Sequence, residues 1–534
     1  MARNKRLEER IKMLVAEVLA EEEFEAPVGR QENINDIEGA MIRIGDLVAR
    51  EVGVQKLARH TGPAPEHPPC PDCGQAGEHV GEHARQLITR RGKVPLTEAK
   101  YRCPKCRRLF FPQTRALGLE AKYDYTPGMY RRIVFASAQA VSFQDASEAL
   151  SELGELKLLP KRVWRAVKRI GQERVEECRE AAQRYLQLSL PARREAPAGQ
   201  SAPEVACVQM DGGRFQERPR ITEEAAESDT ATPEQEQDSG GENFWREYKA
   251  GVLLSMKSQT YTEDPCPELP ATFADPGKMR EMAREIKGFT TREAPCPHSA
   301  EEAAEADFKK RAGRPETLVK SVVATSGDVE SFGPQLASAA HARGFHAAQR
   351  KAFVADGSAT NWSVWSKYFS HYTPILDFVH ALMYVYAAAM AGRSAHEGWA
   401  IYRQWAQWLW SGNVSRLLEA LATRQQELGL PDKHETGTPR AQVACSLGYL
   451  SNQRQRMKYD QYRKQGLPLT SSAIESTIKQ INRRIKGSEK FWSAGADPIL
   501  HLVADRLSQT NATVDFWSRR VDRLVASASY QQAA

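Results

Sequence analysis

Val205-Ala206-Cys207-Val208-Gln209-Met210-Asp211-Gly212-Gly213 reads as a short, mostly apolar strand that delivers a carboxylate to a turn. The same pattern returns at Lys351-Ala352-Phe353-Val354-Ala355, which ends at Asp356-Gly357. Between and around these two stretches, Tyr248 to Met256, Leu318 to Thr325 and Pro374 to Leu376 have strand character, while Gly333 to Ala342 and Trp362 to Phe369 read as helices. Strands alternating with helices predict an α/β domain. After His380 the chain reads as helical as far as the Gly466-Leu467-Pro468 break, and a last long helix begins near Ser471.

Working outward gives an expected organisation. Residues 1–60 hold N-terminal helices, 61–115 a cysteine-bearing ribbon, and 116–195 a helical region that closes in the Pro- and Ala-rich stretch 191–203. Residues 196–379 form the first part of the α/β core, 380–467 a helical insertion, and 468–534 the completion of the core with a C-terminal tail. The stretch 216–243, rich in Glu, Ser, Thr and Gln, is expected to be a disordered acidic loop joining two strands. Residues 259–317 carry no clear pattern, and no internal repeat is visible.

Composition narrows the class. A 41% hydrophobic and 27% charged chain is ordinary for a globular protein. No run approaches the roughly 18 apolar residues of a membrane span, and the opening MARNKRLEERIK lacks a secretory signal. The expectation is a cytoplasmic protein without membrane attachment. The net charge of +6 is compatible with a nucleic-acid partner without establishing one.

Two pairs stand out among nine cysteines: Cys70-Pro71-Asp72-Cys73 and Cys103-Pro104-Lys105-Cys106. A two-residue gap lets one tight turn present two thiolates, and two such turns close a tetrahedral structural zinc site. His79 and His83 lie between the pairs as alternative ligands. A redox role fits less well, because neither pair opens the helix of a βαβ unit. Arg107 and Arg108, with Tyr101, Phe110 and Phe111 nearby, suggest either a nucleic-acid surface or a charged rim around a small core.

A helix from Ser142 to Leu150 followed by one from Pro160 resembles a helix-turn-helix. Its second member carries Lys161, Arg162, Arg165, Lys168 and Arg169, a pattern that also suits a solvated charged face.

Asp211 and Asp356 stand at strand ends, where polar groups of an α/β sheet converge. Two such carboxylates can hold Mg²⁺ for phosphoryl transfer, although Asp-Gly is also a common turn. Glu475 opens the last long helix, where Ser472 and Glu475 also match a capping box. Lys479, Arg483, Lys486 and Lys490 continue the Glu475 face, and Ile474, Ile478, Ile481 and Ile485 form an apolar stripe beside it. A row of cations leading to a carboxylate suits a phosphate backbone. Asp377 and His380, three apart at another strand end, can touch the site or simply cap and pack.

Taken together, Val208-Gln209-Met210-Asp211-Gly212-Gly213-Arg214, Phe353-Val354-Ala355-Asp356-Gly357, Ile375-Leu376-Asp377-Phe378-Val379-His380, Ser472-Ala473-Ile474-Glu475-Ser476 and Arg483 to Ser493 resemble the DDE transposases of bacterial insertion sequences. The resemblance is to the ISKra family, with kinship to the Mutator-like group, and it covers the chain from about Ala136 onward. It implies an RNase H-like core with a helical insertion, and an acidic triad of Asp211, Asp356 and Glu475. Two Mg²⁺ or Mn²⁺ ions would serve that triad, and Asp377-x-x-His380 would match the group's signature, giving His380 a DNA-handling role. The implied partners are double-stranded DNA, as terminal inverted repeats and target, and further copies of the chain. The acidic loop and the stretch 259–317 depart from a compact version of that pattern. Tyr402, Trp405, Trp408 and Trp410 of the insertion have the three- and four-residue spacing of core packing. A nuclease of the same fold, or a DNA-binding protein derived from a transposase, are the competing readings.

Overall fold

The computed structural model describes residues 2–20, 33–60, 65–217, 245–277, 279, 314–487, 490–492 and 495–529. The expected acidic loop therefore lies outside the described residues beyond Glu217, as does most of 259–317. Contacts divide the chain into two units. One comprises Met1–Ala136, Ser147–Leu159 and Val514–Ala534; the other comprises Ser137–Ala146 and Pro160–Thr513.

The first unit holds the helices Ala2–Leu19 and Ile34–His60 and a three-stranded antiparallel sheet. Its strands are β1 (Glu78–Thr89), β2 (Gly92–Arg102) and β3 (Leu109–Phe110), in that order. β1 and β2 form a tight hairpin that closes at the Thr89–Gly92 pair, where Gly92 takes a φ of 103° that favours glycine. One small core gathers Cys70, Tyr101, Cys103 and Phe110, and another gathers Leu87, Leu96 and Leu119. Buried Glu98 accepts hydrogen bonds from the Thr114 amide and hydroxyl. The C-terminal helix Ala512–Ser529 reaches this unit through an Arg520–Glu120 ion pair of 2.6 Å. The expected core segment 468–534 thus divides, its last residues belonging with the ribbon.

The second unit is mixed α/β. Its strands are β4 (Val205–Glu217), β5 (Trp245–Lys257), β6 (Glu316–Thr325), β7 (Arg350–Ala355), β8 (Thr373–Leu376) and the two-residue β9 (Phe491–Trp492). The sheet order is β6-β5-β4-β7-β8, with β9 beside the far end of β4. β4, β5 and β6 run antiparallel, whereas β7 and β8 continue the sheet in parallel with β4. Contrary to the short strand expected, β4 runs on through Asp211, because β5 pairs with it as far as Gln216.

The Pro160–Gln187 helix revises the helix-turn-helix expectation. It is 28 residues long, and its stripe of Val163, Ala166, Val167, Ile170, Val175, Ala182 and Tyr185 is buried. The stripe packs against the helices Val329–Ala342 and Asp497–Leu507. Gly171 permits the approach, since a Cβ there would lie 2.4 Å from the Pro498 carbonyl. Apolar positions that continue beyond Ile170 bury an apparent recognition helix against the two helices that pack on the sheet.

The stretch expected to be a helical insertion is helical, as Phe378–Met390, Ala395–Trp410, Val414–Leu428, Pro439–Asn452 and Tyr459–Lys464. Tyr402, Trp405 and Trp410 are buried in it. The Tyr402 hydroxyl donates to the Phe273 carbonyl and the Trp410 indole to that of Cys266, both at 2.7 Å. Among the described residues, no helix is long and apolar enough to cross a membrane.

Candidate functional site

Parallel pairing of β4 with β7 ends at Gln209 opposite Val354, and continuing that register by two residues sets Asp211 level with Asp356. Side chains alternate along a strand, so Gln209, Asp211 and Gly213 share one face of the sheet. The Ser472–Ile485 helix packs on β4 and β5. Two contacts pin it to that face. Gln209 donates from its amide nitrogen to the Thr470 carbonyl at 2.9 Å and accepts from the Ile474 amide at 3.1 Å. The Tyr248 hydroxyl donates to Asn482 Oδ1 at 2.9 Å. The Ile474 amide is shared between Gln209 and the Ser471 carbonyl at 3.0 Å, so one buried side chain fixes the start of the helix that carries Glu475 over β4. Gln209 was a signal in the sequence, a polar residue inside an apolar run, that motif reading passed over.

The expected capping box does not form. Ser471 occupies the N-cap position, and its hydroxyl donates to Glu475 Oε1 at 3.1 Å. The Ser471 amide donates to Asp377 Oδ2, and the His380 amide donates to Asp377 Oδ1 at 2.8 Å. His380 Nδ1 sits 3.3 Å from the same oxygen. The ligand atoms of Asp377, His380 and Glu475 all lie within 4.8 Å of one another. Asp356 is held by the Ser358 amide at 2.9 Å and by Asn361 Nδ2 at 2.7 Å. Asn361 also approaches the Met210 carbonyl at 3.4 Å, which ties Asp356 to the residue before Asp211; nothing in the sequence marked it.

The electrostatics are those of a crowded anionic site. Burial pushes the Asp211 carboxyl up to about 6; the charges of Asp356 and Glu475 add to this, against the Gly212 amide and His380. For His380, burial alone would lower the imidazolium, but the Asp377 hydrogen bond and the charges of Asp377, Asp356 and Glu475 outweigh it and raise it to about 9. Asp377 is held below the usual carboxylate range, because its hydrogen bonds and His380 overcome the cost of burial. His380 is therefore a cation at neutral pH and Asp377 its spent counter-ion. Asp211, Asp356 and Glu475 feel one another's charge, but the structure does not bring their ligand atoms within 4.8 Å of one another as it does those of Asp377, His380 and Glu475.

Other expected site residues are placed as follows. Lys479 and Arg483 are exposed along the Glu475 helix, but that helix ends at Ile485. Lys486 is its C-cap, exposed, and Lys490 lies beyond it with Nζ donating to the Arg483 carbonyl at 2.9 Å. The row of cations is therefore shorter than the sequence suggested, because Gly487 follows the last isoleucine. On the Pro160–Gln187 helix, Lys161, Arg162, Arg165 and Lys168 are exposed, and Arg169 pairs with Glu173 at 3.4 Å.

The four cysteines of the first unit come together in one cluster. Cys70–Cys106 and Cys73–Cys103 sulfur separations are 3.5 Å, and Cys73–Cys106 is 4.0 Å. A tetrahedron with zinc–sulfur bonds of about 2.3 Å has edges of roughly 3.8 Å, so the cluster could bind a metal such as zinc. Both knuckles close alike: the Gly74 amide donates to the Cys70 carbonyl and the Arg107 amide to that of Cys103, each at 2.9 Å. Gly74 and Arg107 both take positive φ, 74° and 56°. Amide hydrogen bonding from Cys106 draws the Cys103 thiol down to about 6, while hydrogen bonds among the crowded sulfurs push the Cys73 and Cys106 thiols up. His79 and His83 stay outside, packed against Tyr101 and Phe111. Arg107 is exposed, and Arg108 pairs with Asp72 at 3.2 Å. In comparison with known proteins, no family model and no curated protein matches the sequence.

Proposed function

We propose that this chain is a DNA transposase of the DDE type, which cuts and joins DNA by metal-dependent phosphoryl transfer. The observation that carries this reading is the convergence of three carboxylates from remote parts of the chain. Asp356 directly follows β7, level with Asp211 when the β4–β7 register is continued, and Gln209 fixes the start of the helix of Glu475, whose charge Asp211 feels along with that of Asp356. A sheet of three antiparallel strands continued by two parallel ones supports the RNase H-like core that the resemblance implies.

Asp211, Asp356 and Glu475 would hold the divalent cations, which supply activation of the attacking oxygen and neutralisation of the leaving one. The protein's own residues position the substrate. Lys479 and Arg483 line the approach for phosphates, and the His380 imidazolium, fixed by Asp377, offers a charge to a phosphate oxygen. The cysteine cluster holds a structural zinc, and its unit, with the N-terminal helices, reads the inverted repeats. Pairing of two transposon ends calls for a dimer or larger assembly.

The test is a strand-transfer assay with Mg²⁺ or Mn²⁺ and DNA carrying the element's ends, alongside Asp211→Asn, Asp356→Asn and Glu475→Gln. The expected result is metal-dependent joining that each substitution reduces on the order of a thousandfold, with end binding retained. Cutting without joining would make the protein a nuclease. Binding with no reaction in either metal would make it a DNA-binding relic.

A further inference from the structure

The helix Pro439–Asn452 ends against the turn that carries Asp356. Gln453 Nε2 approaches the Gly357 carbonyl at 3.4 Å, and one turn earlier the Tyr449 ring lies flat on Gly357 itself. A Cβ on Gly357 would fall 2.3 Å from a ring carbon of Tyr449 and 2.8 Å from its oxygen, so glycine is required there for the ring to sit so close. Tyr384, one turn after His380, stacks on Tyr449 with centroids 3.7 Å apart and planes 14° from parallel. The two rings bridge the histidine and the aspartate sides of the site.

Within this packing the Tyr449 hydroxyl is buried; the Gly357 amide approaches its oxygen, but its O–H finds no acceptor. A buried donor without an acceptor is costly, and Phe would fill the same stack without that cost. Packing leaves the O–H donor unexplained, because the ring makes the stack with Tyr384 and the oxygen only receives the Gly357 amide. Burial first, then Tyr384 and the charges of Asp356 and Asp377, keep the phenol protonated. A neutral donor beside an anionic cluster has one natural complement, an oxygen that arrives with substrate.

We propose that the Tyr449 hydroxyl is a substrate-binding donor that hydrogen-bonds a non-bridging oxygen of the phosphodiester seated at Asp356. The atom is closed to solvent in the free protein, so the substrate must part the stacked rings to reach it. Opening the rings offsets the binding gained from this bond in the ground state, and the bond raises the rate because it strengthens as charge builds on that oxygen in the transition state. This inference rests on the phosphoryl-transfer reading above.

Tyr449→Phe tests it, since the variant keeps the ring and removes one atom. Two signatures are expected together: a higher melting temperature for the free protein, and cleavage with Mg²⁺ at least tenfold slower with unchanged affinity for the DNA ends. A purely structural tyrosine would move neither in that combination. If wild type cleaves, Asp356→Asn does not, and Tyr449→Phe cleaves like wild type, the donor role is wrong and the phosphoryl-transfer reading survives. If wild type itself shows no metal-dependent cleavage, both fall.

Discussion

The cysteine cluster and the carboxylate cluster assemble in opposite ways. All four sulfurs come from two short knuckles joined by one hairpin, and each knuckle is built by the same local amide bond and the same left-handed residue. The three carboxylates come from Asp211, Asp356 and Glu475, and no local motif joins them. A parallel register, an Asn361 clamp and a Gln209 clamp do that work. Local spacing suffices where a cation completes the fold of a small unit. Long-range topology is needed where a rigid sheet must hold charges in mutual repulsion.

Three measurements press on that contrast. The largest effect is expected at the cysteines, where a structural zinc contributes about 10 kcal/mol or more to the folding of a small site. Cys73→Ser, or a strong chelator, should abolish bound zinc and expose the β1–β2 hairpin to hydrogen exchange, leaving β4 protected as before. Loss of protection in β4 as well would break the contrast.

Next comes Gln209→Leu, which removes the donor to the Thr470 carbonyl and leaves the Ile474 amide only its Ser471 acceptor. Destabilisation of about 1–3 kcal/mol in urea unfolding is expected. Cleavage should fall with it even when the protein is fully folded, because Glu475 loses its registration to Asp211. Full activity in the folded variant would show that the helix needs no clamp.

The smallest effect is a pH signature of the carboxylate cluster. Asp211 titrates near 6 in the folded protein, above its ordinary value of 3.8. Its contribution to stability is therefore fully present below about pH 3.8 and lost as pH rises through about 6, a cost on the order of 2–3 kcal/mol at neutral pH. Asp211→Asn should accordingly stabilise the metal-free protein at pH 7.5 and do little at pH 4. His380 has the same sign in a higher window. Raised to about 9, it stabilises fully below pH 6.5 and ceases to do so as pH rises through 9. Urea midpoints of the wild type between pH 4 and pH 10 would display both limbs, and a difference between Asp211→Asn and wild type that does not change with pH would mean that the Asp211 charge is not crowded.

These two modes of assembly also explain what could be read in advance. The zinc knuckles, the strands that carry Asp211 and Asp356, and the start of the Glu475 helix are encoded within a few residues each, so periodicity and spacing revealed them. The length of the Pro160–Gln187 helix was hidden because charged residues diluted its buried stripe. The second half of β4 was hidden because Gly212 and Gly213 resemble a turn, whereas Gly213 makes room for the Tyr248 ring. Asn361 and Ser471 could not be recognised, since their value lies in partners set by the sheet order and by the far end of the insertion.

The hydrogen bonds at the base of that insertion have a further consequence. The Phe378 amide donates to the Leu469 carbonyl at 3.0 Å, and the Ser471 amide donates to Asp377. The chain therefore leaves the core and returns to it at one clasped doorway. Changes in length among residues that do not touch the Asp356 turn are held away from Glu475 by that clasp, whereas Tyr449 and Gln453 tie the end of Pro439–Asn452 to Gly357. The excursion is a loop buttoned at two points, free between them and fixed where it meets the sheet.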